Sequence, residues 1–219
     1  MLQMTERLER LRSKVLDMAA LVESALDGSV QVLAGRDELQ ARRVLDYEDA
    51  IDALEIEIDQ VATELLALNQ PVARDLRFIT AAIKINSDLE RMGDLAVNIA
   101  RSSLRLIGSP TTVDTGEIQD MARRVQKMVR DAIESIEMSD DERARKVLDA
   151  DDEIDEIKND MFSELVRGIE TDARAAAANV DLIFIAHSLE RIADHATNIA
   201  EDVLFFSRGI EVRHHHTDV

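Results

Sequence analysis

Leu89-Glu90-Arg91-Met92-Gly93-Asp94, continued by Ala96, Asn98, Ile99 and Ala100, returns as Leu189-Glu190-Arg191-Ile192-Ala193-Asp194, continued by Ala196, Asn198, Ile199 and Ala200. The copies lie 100 residues apart. Apolar residues spaced by three and four make each copy a helix. Glu and Asp four apart stand one above the other on that helix. A repeat that keeps its acids along with its apolar frame predicts a twinned carboxylate site as well as a twinned fold.

The repeat extends upstream. Val44-Leu45-Asp46-Tyr47-Glu48-Asp49-Ala50-Ile51-Asp52 matches Val147-Leu148-Asp149-Ala150-Asp151-Asp152-Glu153-Ile154-Asp155 at an offset of 103 residues. Around these segments the apolar period predicts six helices. The first carries Leu8, Leu11, Val15, Met18 and Val22 and ends near Gly35; the second starts near Asp37 and breaks at Asn69-Gln70-Pro71. A proline disfavours helix in the residue before it and readily opens the next one, so the third is expected from Pro71 to Ile107. Gly108-Ser109-Pro110-Thr111-Thr112-Val113-Asp114-Thr115-Gly116 is the clearest break in the chain. The fourth helix is expected over Glu117 to Met138. Ser139-Asp140-Asp141-Glu142 has the form of a capping box opening the fifth; a break near Glu170 to Asp172 leads to the sixth, ending near Ser207. The reading is all-α, two tandem, sequence-related three-helix bundles: residues 1–107, a linker at 108–116, residues 117–208, and a C-terminal tail at 209–219.

The bulk composition agrees. The chain has 219 residues, 46% hydrophobic and 3% aromatic, with seven Gly and two Pro, a mixture that favours helix over sheet. A formal net charge of −19 repels phosphate backbones and attracts cations, which argues against nucleic-acid binding. With no cysteine there is no disulfide and no thiolate metal site, as suits a reducing compartment. No apolar run reaches the roughly 18 residues of a membrane span, and the N-terminus has no signal-peptide core. A soluble, cytoplasmic protein is expected.

At about 100° per residue, Ile85, Leu89, Met92, Ala96 and Ile99 share one face, and Glu90, Asp94 and Asn98 fall roughly opposite. Glu48 and Asp52 flank the stripe of Ile51, Leu54 and Ile58. In the second half Asp151 and Asp155 flank Ile154, and Glu190 and Asp194 repeat Glu90 and Asp94. If the helices are neighbours, four carboxylates converge in each half. They repel, like charges at i and i+4 costing a few tenths of a kcal/mol, and a bound cation offsets that. All-oxygen ligation suits hard cations such as Mg²⁺, Mn²⁺, Ca²⁺ or iron. A solvated helix face of an acidic protein also carries such acids, so spacing leaves both readings open.

Asp88-Leu-Glu-Arg-Met-Gly-Asp94 and Leu189-Glu-Arg-Ile-Ala-Asp-His-Ala-Thr-Asn-Ile-Ala-Glu201 resemble the signature helices of the PhoU family. The resemblance runs over about residues 4 to 213 and includes Met18-Ala-Ala-Leu-Val-Glu-Ser-Ala-Leu26 and Asp49-Ala-Ile-Asp52. It implies two tandem three-helix bundles with multinuclear metal clusters on their surfaces. Iron is the metal the resemblance brings, with Mg, Mn, Ca or Zn as alternatives. The implied ligands are Glu48, Asp52, Glu90 and Asp94 in the first half and Asp151, Asp155, Glu190 and Asp194 in the second. Asp151 stands where the first half has Glu48, one methylene shorter, and Ser188 stands where it has Asp88. The implied function is negative regulation of phosphate uptake and phosphate-starvation signalling. The implied partners are the ATPase subunit of a phosphate transporter and a sensor histidine kinase. Such a protein is peripheral to the membrane only through its partners, homodimeric, and not an enzyme.

Other features are read more plainly. His214-His215-His216 could bind a metal but reads first as a tail. His195 has Leu95 as its counterpart, against a shared ligand role. Arg91 and Arg191 are read as pairing with nearby acids on their own helices. No phosphate-binding glycine loop or nucleophile elbow is present. Two rivals stand beside the regulator reading. A di-iron carboxylate enzyme would need Glu-x-x-His on core-facing helices, which neither acid pair has. A helical interaction module would use the acids on a basic partner without metal.

Overall fold

The computed structural model describes residues 2–35, 37–109 and 113–209. His214–His216 therefore lie outside the described residues, as do parts of the expected linker and tail. Among the described residues seven α-helices follow one another: α1 (Leu2–Gly35), α2 (Glu38–Asn69), α3 (Ala73–Ile107), α4 (Gly116–Met138), α5 (Asp141–Asp149), α6 (Asp151–Thr171) and α7 (Ala176–Arg208), with a 3₁₀ turn at Ala173–Ala175. There is no strand among the described residues.

The helix ends have local causes. Asp37 caps α2, its carboxylate accepting from the amides of Leu39 and Gln40 at 2.9 and 3.2 Å. Gln70 and Ala73, both at positive φ, turn the chain into α3, so α3 begins two residues after Pro71 instead of on it. The cap of α5 is Asp140, not Ser139. Asp140 accepts from Glu142 and Arg143 at 3.0 and 3.1 Å. Ser139 is used up in reversing the chain, at φ 51°, as the last residue associated with α4. The expected fifth helix is also two helices. At Ala150 the amide bonds back to Val147, a tightened turn. Asp149, Asp151 and Asp152 surround it, and aspartate is poor inside a helix and favourable at its start. The break makes Asp151 the first residue of α6.

α1, α2 and α3 pack on one another, and α4 and α7 pack with α5 and α6. The two sets are joined along α3–α7 and α1–α4. One apolar core runs through both, from Leu11, Met18 and Leu26 through Ile85, Leu89 and Met92 to Leu189, Ile192 and Phe206. The α3–α7 seam is antiparallel, because its polar pairs run in opposite order: Lys84 with Asp202 at 3.4 Å, Asp88 with His195 at 2.8 Å, and Arg105 with Asp181 at 2.7 Å. α3 is buried on a second side as well, where Val97 and Ala100 pack with Val44 and Leu45 of α2. What remains exposed on α3 in this region is a narrow line through Ser87, Arg91, Asp94, Asn98 and Arg101. α2 and α6 lie away from the seam, each against the seam helix of its own half.

Candidate functional site

Two grooves follow from this arrangement, one between α2 and α3 and one between α6 and α7. In the first, α2 and α3 run antiparallel. Glu48 pairs with Arg101 at 2.9 Å near one end, and Asp59 accepts from Asn86 at 3.0 Å near the other. Gly93 permits a close approach here, for a Cβ on it would stand 2.7 Å from Cδ1 of Ile51. That brings the acids flanking Ile51 toward those flanking Gly93.

The electrostatics show which acids act on one another. Glu90 is half-buried, and its carboxyl is pushed up by burial, then by the charges of Asp94, Glu55 and Asp52, with Arg91 opposing. Glu55 is pushed up by burial, then by Asp59, Asp52 and Asp94, again with Arg91 opposing. The acidic centre of the first groove is therefore Asp52, Glu55, Glu90 and Asp94, extended by Asp59. Glu48 is turned to Arg101 at the groove's end. Glu55 was not singled out from the sequence, although its signal was there: it lies three residues after Asp52, on the same side of α2. Arg91 acts on the acids of both helices, α2 included. Asn86, almost fully buried on α3, donates to the carbonyl of Glu55 and to Asp59, tying the helices together.

The second groove gathers Asp151, Asp155, Glu190 and Asp194. Asp151 is pushed up to about 6, by burial first and then by the charges of Asp194, Asp155, Asp152 and Glu190. Asp194 is pushed up by burial, Glu190 and Asp155, with His195 and Lys158 opposing. Here a cation of the protein itself enters the groove: Nζ of Lys158 lies 3.0 Å from Glu190 and 3.9 Å from Asp155. Nδ1 of His187 lies 3.3 Å from the other oxygen of Glu190. Lys158 occupies the repeat position of Glu55, so one repeat position carries opposite charges in the two halves.

Among the described residues, no three acids or histidines converge tightly enough to hold a metal ion as they stand. The donor sets suit hard cations, because every motif donor is a carboxylate oxygen. Repulsion within each groove is relieved when a cation is held between the helices.

The chain matches the family model described as PhoU domain twice, over residues 15–103 and 118–203. These matches cover α2 with most of α1 and α3, and nearly all of α4 to α7, so each contains one groove. The "phosphate-specific transport system accessory protein PhoU homolog" of Caulobacter vibrioides is 39% identical over 208 residues, 94% of this chain and 90% of that protein. The crystal structure of PhoU from Pseudomonas aeruginosa superposes with a TM-score of 0.90 at 36% identity, covering 94% of this chain and 99% of that one. That of the phosphate transport system regulatory protein PhoU from Streptococcus pneumoniae gives 0.87 at 26% identity, covering 95% and 99%.

Proposed function

This chain belongs to the PhoU family, and from that membership we propose that it is an accessory regulator of a phosphate-specific transport system. The observation that carries the proposal is the likeness over nearly the whole chain, both halves included, to proteins named for that role. In this reading the protein represses phosphate uptake and phosphate-starvation signalling by binding the transporter's ATPase subunit and a sensor histidine kinase. It is a cytoplasmic adapter and not an enzyme, and it works as a homodimer. No described helix is long and apolar enough to cross a membrane, which is consistent with a link to the membrane through partners. Exposed Leu39, Ile56, Leu68 and Val72 in the first half and Phe162 and Phe184 in the second are the kind of side chains that partners cover. Deleting the gene should raise expression of phosphate-starvation genes in phosphate-rich medium; unchanged expression would overturn the role.

The two grooves are proposed as hard-cation sites, with an iron cluster as the first expectation. A cation bound there neutralises the carboxylates and holds the two helices of a groove at a fixed spacing. Asp52, Glu55, Glu90 and Asp94 fit that role in the first half, with Glu48 within reach once it leaves Arg101. The acids line the outer grooves and not the bundle interior, which favours an adapter over a di-iron enzyme. The alternative is a module whose acids bind a basic partner without metal. Elemental analysis of protein purified without metal-affinity chromatography separates the two, since only the cation reading predicts metal that is lost on replacing Asp94 and Asp194 by alanine.

A further inference from the structure

We propose that the two grooves are unequal, because Lys158 is a built-in cation that withholds Glu190 from any metal bound in the second half. The inference rests on the cation reading of the grooves and concerns how the two halves divide that role.

The argument starts from the repeat. Asp52-Ala53-Leu54-Glu55 in α2 corresponds to Asp155-Glu156-Ile157-Lys158 in α6. The first groove therefore has an acid where the second has an ammonium, while Arg101 at the end of the first groove has Glu201 as its counterpart. A metal must compete with that ammonium for Glu190, its closest partner at 3.0 Å. His187 stands at the other oxygen of the same carboxylate, where the first half has Ser87.

The first groove contains a basic competitor too, Arg101 on Glu48, but the two pairs differ in setting. Side-chain exposures are 48% for Arg101 and 35% for Glu48, against 26% for Lys158 and 14% for Glu190. An exposed pair is held weakly and opens readily. A more buried charge-assisted pair is stronger and costs more to separate. The first groove can therefore recruit Glu48 around a cation, while the second keeps Glu190 on Lys158. Asp151, Asp155 and Asp194 remain in the second groove and still attract cations. Its site is weaker, not abolished.

The test is a titration of the full chain with Mn²⁺ after chelator stripping, with free Mn²⁺ read by electron paramagnetic resonance. The proteins are the wild type, Asp94→Asn, Asp194→Asn, Lys158→Met, Lys158→Arg and the double variant Lys158→Met with Asp194→Asn. Tight Mn²⁺ in the wild type should disappear in Asp94→Asn and survive in Asp194→Asn. Lys158→Met should strengthen a further site by about tenfold or more, the order of a charge-assisted bond removed, and the double variant should lose it. Lys158→Arg should behave as wild type. Equal loss from Asp94→Asn and Asp194→Asn would overturn the inequality and leave the cation reading standing. A gain in both Lys158→Met and Lys158→Arg would overturn the role given to the charge. A Lys158→Met site that depends on Asp194, with no wild-type binding, would support the role of Lys158 and overturn the first-groove cation site. No acid-dependent binding in any of the proteins would overturn both.

Discussion

Nδ1 of His195 lies 2.8 Å from a carboxylate oxygen of Asp88, joining α7 to α3 across the seam between the two halves. Each residue marks a departure from the repeat: Leu95 stands in place of His195, and Ser188 in place of Asp88. The two departures are partners. Asn198 donates to the same carboxylate oxygen at 3.2 Å. The repeat counterparts, Ser188 and Leu95, have no such charge pair to offer.

The contact predicts a coupled loss of stability. Asp88 and His195 are both largely buried, 16% and 12% exposed. Asp88→Ala and His195→Ala should each lower unfolding free energy by about 1 kcal/mol. The double variant should lose less than the sum, with a coupling of roughly 0.5–1 kcal/mol. Urea denaturation of the four proteins measures this, and strict additivity would remove the pair from the account of the seam.

Asp151 predicts a pH dependence. Its carboxyl is raised from an unfolded value near 3.8 to about 6 in the fold. A raised acid contributes stability that is complete below its unfolded pKa and is lost as pH rises through the folded one. In metal-free protein, stability from this group should therefore grow as pH falls from about 7 to about 4. Asp151→Asn should melt higher than wild type at pH 8, with the gap closing toward pH 4. A constant difference in melting temperature across that range would show that Asp151 titrates normally.

Lys84 and Asp202 predict a further cost along the same seam. The Asp202 side chain is 2% exposed, and Nζ of Lys84 lies 3.4 Å from it. Lys84→Met leaves that buried carboxylate without this cation and should cost about 2 kcal/mol, below the 3–5 kcal/mol of a fully buried pair because Lys84 itself is 39% exposed. Lys84→Arg should cost less. An unchanged urea midpoint in Lys84→Met would show that the ammonium does not support Asp202.

Cation binding predicts a stabilisation that can be followed by melting. Mn²⁺ at a hundred times its dissociation constant should add about 2.7 kcal/mol. For a chain of this size that is a rise of roughly 5–10 °C. The rise should be largely lost in Asp94→Asn. The same rise in wild type and Asp94→Asn would place the bound ion outside the first groove.

Much of this was legible in the residues. Apolar spacing marks helices because one stripe must be buried, and Asp37 and the break at Asn69-Gln70-Pro71 mark ends because caps and turns need those residue types. The repeated Leu-Glu-Arg-x-x-Asp segments placed an acidic edge beside an apolar one on both signature helices. Less visible were features that depend on one-residue shifts or on neighbours from the other half. Ser139 and Asp140 compete for one cap, and the chain reversal after α4 decides for Asp140. The kink at Ala150 turns on a single tightened turn amid aspartates.

By itself, the sequence determined an all-α chain, its duplication, and which helices carry acids, because periodicity and repetition are local properties of the string. Only the tertiary structure decided which charges meet. Antiparallel packing of α2 on α3 turns Glu48 to Arg101 and brings Glu55 into the acidic centre. Packing of α6 on α7 sets Lys158 on Glu190. Packing of α3 on α7 joins Asp88 to His195 and merges the two apolar cores into one. The repeated Glu and Asp are identical in the two copies; the side chains that face them from the neighbouring helix make the two sites different.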